Sequence, residues 1–460
     1  MEFPGMLRIL KTIETAKEKS GSGILVFYGE QGLGKTSLLL SLLNKYPYAK
    51  YYQAVPASSV QQALFMREAL IGSKGLKRSE YTTYDAIFEK LSKDHHMDGR
   101  QVLIFDEFDY LLKADDTFMN SLIGLLSGTY GQREYLVILC TSSLGFVAGT
   151  MSKKMGRAAL MIQGLLKMKE FGFEDMVNMS DKLSKTEVFY RYALMGGRPF
   201  PFQVSMKYES MRDIIIGMFL RRDGLFYDYG IKYISEQLRE PGVYATILYL
   251  IANGNTKLND LYALSGFSRA KISVYLKNLI ELDLVEKVYS FGASPRDDSL
   301  KGVYRISNPM VNFWFRFLYE NRSRLDVMDE ETFFDKYIMN DLSEYLEFYY
   351  GLVASQLMTA GKVSAAADIR KCSEWVGKTG DIPVIGIPAD GGGRKGSETV
   401  CAFMSRAKKI DADYIENCAL ILKKASLKPR TVIIFSEAGV EEGVEIKITH
   451  SNVLVTGILN

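Results

Sequence analysis

Gly29-Glu30-Gln31-Gly32-Leu33-Gly34-Lys35-Thr36 is the stretch that decides the fold. It fits the pattern G-x-x-x-x-G-K-[ST] at every fixed position. Before it, Ile24-Leu25-Val26-Phe27-Tyr28 is an apolar run of strand length. After it, Ser37-Leu38-Leu39-Leu40-Ser41-Leu42-Leu43 reads as a buried helix. Strand, glycine-rich loop and helix start, in that order, make a cradle for a polyphosphate. The glycines lack the Cβ that would stop successive N–H groups from turning towards phosphate oxygens. The helix start adds partial positive charge behind them. In this pattern Lys35 reaches the β- and γ-phosphates and the Thr36 hydroxyl binds Mg²⁺. Ser37 follows at the helix start, so the expected nucleotide contacts run from Gly29 to Ser37.

Such a loop needs a carboxylate at the end of another strand to hold the metal. Val102-Leu103-Ile104-Phe105 is a continuous apolar strand ending in Asp106-Glu107. Asp106 is the expected metal residue, and Glu107 the expected base or water-orienting residue. Leu136-Val137-Ile138-Leu139-Cys140 is a third buried strand, ending in Thr141-Ser142-Ser143. A polar residue there can sense the γ-phosphate or hold the attacking water; Ser142 is the first choice and Ser143 the second. Tyr51-Tyr52-Gln53-Ala54-Val55 reads as a shorter strand. Strands alternating with helical segments predict an α/β fold with a parallel sheet wrapped by helices. Ligands bind at the carboxyl ends of such strands, where these motifs lie.

The chain has 460 residues, enough for roughly three domains of about 150 each. A net charge of only +3 does not announce a nucleic-acid partner. Cysteines 140, 372, 401 and 418 show no C-x-x-C pairing and no zinc spacing. Cys140 and Cys401 sit in apolar runs and read as buried thiols. His95, His96 and His450 are too scattered for a metal site. Met1-Glu2-Phe3-Pro4-Gly5 lacks the pattern of a signal peptide. No apolar stretch reaches the ~18 residues that a spanning helix needs. These features predict a cytoplasmic protein that does not engage a membrane.

Residues from about 165 to 235 read as helical, punctuated by Met195-Gly196-Gly197-Arg198-Pro199-Phe200-Pro201. Residues 241–305 carry a three-helix pattern: Val243–Ile251, Leu258–Leu264, and a helix from Arg269 to Ile280 capped by Ser268. Leu284–Val288 and Gly302–Ile306 then pair as strands. That order predicts a winged helix-turn-helix, whose third helix enters the major groove in DNA-binding versions. Arg269, Lys271, Ser273 and Lys277 are the candidate contacts, with Arg296 and Lys301 on the wing. The charge over residues 257–287 is nearly balanced, weak for a phosphate-tracking surface. The winged helix therefore either binds duplex DNA or serves as an interdomain or partner surface. Beyond 330, a helix over Phe333–Leu357 precedes strands around Val384–Ile387, Val400–Phe403, Thr431–Phe435 and Val453–Ile458. A helix between 407 and 425 completes a small α/β domain. Gly391–Gly396 reads as a flexible loop.

The order of motifs is specific: phosphate loop, Asp106-Glu107-Phe108, Ser142-Ser143, Met155-Gly156-Arg157, then Gly197-Arg198-Pro199. It resembles the archaeal-type P-loop ATPases of the STAND branch, close to AAA+ proteins, with a winged helix and a C-terminal DUF234 domain. The resemblance implies ATP and Mg²⁺ as ligands. It gives Gly197 and Pro199, of a G-x-P motif near the lid, contact with the nucleotide. It makes Arg157 a candidate arginine finger against γ-phosphate charge, beside the reading of a structural surface residue; Arg198 is a second candidate. The preference for ATP over GTP rests on the resemblance too. The family's opening Phe-x-x-Arg-Glu-like box is reduced here to Glu2-Phe3-Pro4. The family's C-terminal domain resembles restriction endonucleases, whose metal chemistry needs an Asp and a Glu-x-Lys. Asp381-Ile382-Pro383 puts a proline where that Asp belongs, and Val400–Ser405 holds no Glu-x-Lys. Glu445-Ile446-Lys447 matches the short pattern but reads as alternation on a half-exposed strand.

The expected organisation is an ATPase core over 1–165, a helical lid over 166–238, a winged helix over 239–325, and a nuclease-like domain without nuclease chemistry over 326–460. The expected function is a slow Mg²⁺-dependent ATPase acting as a nucleotide-driven conformational switch. Two rivals stand beside it: an ATP-bound DNA-binding regulator with little hydrolysis, and a nucleotide-gated nuclease.

Overall fold

The computed structural model describes residues 4–72, 83–93, 100–292, 302–378, 380–389 and 399–459. Glu2 and Phe3, His95 and His96, Arg296 and Lys301, and the loop Gly391–Gly396 lie outside them. The chain divides into two compact units: Met1–Phe171 with Arg198–Phe200, and Gly172–Gly197 with Pro201–Asn460.

The first unit is built on five strands: β1 (Gly23–Tyr28), β2 (Lys50–Gln53), β3 (Gln101–Asp106), β4 (Tyr135–Thr141) and β5 (Ile162–Lys167). Their order is β2-β3-β4-β1-β5, and every pairing is parallel. β3 and β4 are buried along their whole length, as expected of strands covered on both faces. Beneath β3, Phe105 meets Phe118 edge-on at 5.2 Å and Phe88 at 6.3 Å. This packing fixes the strand whose last residue is Asp106. Helix α1 (Lys35–Lys45) starts directly at the phosphate-loop lysine and buries Leu38, Leu39 and Leu42.

β5 departs from the sequence reading, which placed helical structure from about 165. Its residues alternate between half-buried and exposed, because it is an edge strand paired only to β1. A short alternating stretch containing Gly164 carries little periodic signal of its own.

In the second unit, helix α2 (Lys185–Met195) opens with a capping box between Ser184 and Glu187. Helices α3 (Pro241–Ala252), α4 (Leu258–Ser265) and α5 (Arg269–Glu281) follow. Gly266, at φ 72°, ends α4 in the left-handed region. The Ser268 hydroxyl caps α5 by accepting from the Lys271 N–H at 3.3 Å. Strands β6 (Val285–Val288) and β7 (Val303–Ile306) pair antiparallel. Three helices are thus followed by an antiparallel strand pair.

The helix expected over Phe333–Leu357 is two helices. Glu330–Tyr337 and α6 (Met339–Thr359) are separated at Ile338, whose φ of −122° leaves the helical range. A second sheet follows: β8 (Ile369–Trp375), β9 (Ile382–Pro388), β10 (Val400–Met404), β11 (Thr431–Phe435) and β12 (Asn452–Thr456). Its order is β12-β11-β10-β9-β8. β8, β9 and β10 pair antiparallel, and β10, β11 and β12 parallel. Helix α7 (Ala412–Lys424) supplies the crossover from β10 to β11. Glu445-Ile446-Lys447 is not on a strand. Gly439 and Gly443, at φ 76° and 79°, turn the chain just before it, which interrupts extension. Cys140, Cys401 and Cys418 are buried thiols and Cys372 is half-buried. Among the described residues, no helix is long and apolar enough to cross a membrane.

Candidate nucleotide site

The carboxyl ends of β1, β3 and β4 converge on one group of polar side chains. The loop after β1 needs its glycines. Gly32 and Gly34 have φ of 84° and 90°, a region that costs an L-residue roughly 1–2 kcal/mol. A Cβ on Gly29 would lie 2.6 Å from the Met168 carbonyl oxygen. Leu33 is buried and pins the loop from below, whereas Gln31 is exposed. Lys35 is buried and its Nζ donates to the Glu30 carbonyl at 2.7 Å. Burial holds its pKa below the usual lysine range, against the pull of the nearby carboxylates Glu107, Asp106 and Glu30. A phosphate oxygen arriving at Lys35 would therefore meet a cation with little water to displace.

Asp106 is fully buried. Its Oδ2 accepts from the Thr36 hydroxyl at 2.8 Å and from the Tyr51 hydroxyl at 3.0 Å. Its Oδ1 accepts from the Glu107 N–H at 3.0 Å. The sequence places Tyr51 in a short strand and gives it no role in the site. The parallel register of β2 on β3 sets Tyr51 opposite Ile104, two residues before Asp106. Burial and the Asp106 carboxylate push the Tyr51 pKa up, keeping its proton on the phenol.

Glu107 has φ of 51°, a left-handed conformation rare for a residue with a side chain. Its carboxylate is held at both oxygens by Ser142. The Ser142 N–H donates to Oε2 at 2.9 Å and the Ser142 hydroxyl to Oε1. Ser143 caps the helix that follows β4. Thr141 is directed to Asp109 instead, donating at 2.7 Å.

Lys35, Thr36, Asp106, Glu107 and Ser142 are thus brought together. Ser37 is exposed on the first turn of α1. Arg157 is exposed in the turn Gly156–Met161, beside an open groove of about 760 Å³ lined by Lys153, Lys154 and Asp116. Among the described residues, no hydrogen bond or ion pair joins Arg157 to the loop, to Asp106 or to Glu107. Arg198 is 1% exposed and forms ion pairs with Glu30 of the loop and with Glu170. Pro199 follows it, half-buried, at the start of a helix. Gly197 belongs to the second unit. Sequence reasoning missed Tyr51 and the Glu30–Arg198–Glu170 group. The one available signal for the latter was an arginine between glycine and proline.

A family of ATPase domains predominantly from Archaea matches residues 7–202. DUF234, a family of archaeal and bacterial proteins of unknown function, matches residues 314–393. Residues 7–202 thus form an archaeal-type ATPase domain, and residues 314–393 belong to DUF234. An uncharacterised protein of Methanocaldococcus jannaschii is 28% identical over 363 residues, 76% of this chain and 75% of that protein. A Walker-type ATPase of Pyrococcus abyssi is 14% identical, with TM-score 0.48, over 69% of this chain and 95% of that one. The ORC2 protein of Aeropyrum pernix, solved as ADPNP–ADP complexes, is 16% identical, with TM-score 0.46, over 70% and 93%. All the expected phosphate-loop residues, with Asp106 and Glu107, fall inside the matched ATPase domain.

Proposed function

We propose that this ATPase is Mg²⁺-dependent and acts as a nucleotide-driven conformational switch. The observation that carries the reading is the 2.8 Å hydrogen bond from Thr36 to Asp106, with Glu107 as the next residue. Two hard oxygen donors, one from the phosphate loop and one from a strand end, already face each other. They fit Mg²⁺, and Thr36 and Asp106 would hold it. When bound, the ion neutralises charge on the β- and γ-phosphate oxygens.

The chain's own residues supply the rest. Backbone N–H groups from Gly29 to Ser37 cradle the phosphates. Lys35 balances charge on the γ-phosphoryl group. Glu107 orients a water molecule and accepts its proton as the water oxygen bonds to the γ-phosphorus. The bond to the β–γ bridging oxygen breaks, leaving ADP and inorganic phosphate. Tyr51 keeps Asp106 in place as an acceptor.

Ser142 acts here as the holder of Glu107 rather than as a γ-phosphate sensor. While both carboxylate oxygens are engaged, Glu107 cannot orient water well. That grip also favours the second reading, an ATP-bound regulator with little hydrolysis. Arg157 and Arg198 serve as candidate charge stabilisers only after movement, and Arg198 would have to leave two carboxylates to do so. Gly197 and Pro199 border the nucleotide in this reading.

The lid over 166–238, the winged helix over 239–325 and the domain over 326–460 would transmit nucleotide state, in the manner of a cytoplasmic STAND-type switch. The three helices with the β6–β7 pair support a winged helix. Arg269, Ser273 and Lys277 are exposed on α5, which supports a duplex-DNA contact. Against it, Arg269 lies over Tyr262, Lys271 lies over Phe267 and Tyr275, and Lys277 is 3.8 Å from Glu281. A protein partner fits those contacts as well.

The test is phosphate release from ATP by the wild type and Glu107→Gln, each with and without duplex DNA. Turnover that Glu107→Gln loses while ATP binding persists supports the ATPase mechanism, and stimulation by DNA supports the winged helix as a reader. Tight ATP binding without turnover under either condition moves the reading to the regulator. Metal-dependent DNA cleavage that survives Lys35→Ala but not Asp381→Ala would instead make the chain a nuclease.

A further inference from the structure

The second unit contains an open cavity of about 960 Å³, lined by β6 and β7, one face of α6, and the start of β9. Seven carboxylate side chains line it against four basic ones. At one end a single guanidinium lies beside two of those acids. Arg305 pairs with Glu374 through one carboxylate oxygen. It lies opposite Glu286 in the β6–β7 register, and the Asp381 carboxylate acts on Glu374.

Glu374 is 7% exposed. Its Oε1 is buried and has no hydrogen-bond partner among the described residues. A buried acceptor left unmade costs about 1–3 kcal/mol, and more when it carries charge. Burial pushes the Glu374 pKa up despite Arg305, and Asp381 and Glu286 push it further in the same direction. Burial also raises Glu347, in the lining, whereas Glu286 is exposed. The cavity therefore lacks positive charge and at least one N–H donor.

We infer that this cavity is a binding site for an organic cation, a primary ammonium group on an alkyl chain, seated against Glu374, Asp381 and Glu286. Among the described residues no group of three or more acids, histidines or cysteines is arranged to hold a metal ion. A directional N–H⁺ donor suits the orphaned oxygen better than a bare ion does. Arg305 already lies over the Phe348 ring at 5.4 Å. That face is a surface of the kind that attracts cations, and Tyr304 lines the same cavity. The volume lies within the usual range for small-molecule sites, about 300–1,000 Å³. It has room for a chain bearing more than one amine.

The experiment is calorimetric titration of the full chain, without nucleotide or Mg²⁺, at constant ionic strength. The probes are spermidine and Nα-acetyl-lysine methylamide. The expected result is one saturable site, weakened about tenfold or more by Glu374→Gln. Asp381→Asn is expected to weaken it as well. Asp381 is exposed, so that variant keeps the test valid if Glu374→Gln folds poorly. Binding of spermidine alone identifies a free polyamine as the ligand. Binding of the lysine amide as well identifies the terminal ammonium as sufficient. No saturable binding of either probe, or equal binding by wild type and both variants, overturns the inference.

Discussion

The chain holds two five-stranded sheets that differ in what stands at the ends of their strands. In the first, β3 and β4 end in Asp106-Glu107 and Thr141-Ser142; Asp106, Glu107 and Ser142 are engaged in polar contacts beside the phosphate loop, and Thr141 donates to Asp109. In the second, β9 opens at Ile382-Pro383, and β10 ends in Met404 without a Glu-x-Lys. The second sheet follows α6 with three strands, then α7 and two further strands. Topology brings strand ends together in both. Only in the first do the residues arriving there have chemistry to share.

Glu107→Gln tests that contrast most severely. It should lower phosphate release by about 10²–10⁴-fold while ATP binding persists, since it removes the proton acceptor and little else. Near-normal turnover in that variant would break the comparison, because the first sheet would then owe its activity to something other than its strand ends. Arg198→Ala should come next. Leaving Glu30 and Glu170 without their shared buried partner should lower unfolding stability by about 3 kcal/mol or more in urea titrations. Thr36→Val should reduce turnover by about tenfold and raise the Mg²⁺ concentration needed for half-maximal rate, because the hydroxyl beside Asp106 is gone. Ser142→Ala should be milder and of opposite sign, a rise in basal turnover of about threefold, as Glu107 gains freedom. A fall would mean that Ser142 serves the reaction directly. The smallest effect is expected in the second sheet: duplex DNA incubated with the full chain and Mg²⁺ should remain intact on a denaturing gel.

The central strands of the first sheet were legible because they are buried on both faces and read as unbroken apolar runs. The helix starts at Lys35 and Arg269 were legible from their glycine and serine neighbours. The helix break at Ile338 was not, because an apolar residue inside an amphipathic pattern gives no signal of a change in φ. β5 was hidden for the opposite reason: half its residues are exposed. Within the candidate site, the residue types with fixed spacing were visible. Tyr51 was not, since only the register between two strands distant in sequence brings it to Asp106. The Ser142 grip on Glu107 was invisible for the same reason. A serine after a strand suggests a polar contact but does not name the partner.

The left-handed backbone at Glu107 has a consequence for evolvability and engineering. Glycine would relieve roughly 1–2 kcal/mol of steric cost at that position, and asparagine adopts the conformation more readily than glutamate. A selection for thermal tolerance alone would thus draw this residue away from glutamate, offset in part by the lost Ser142 hydrogen bonds. Stabilised variants of this protein therefore need to be screened for turnover as well as for melting temperature, because the cheapest route to a calmer backbone passes through the loss of the base.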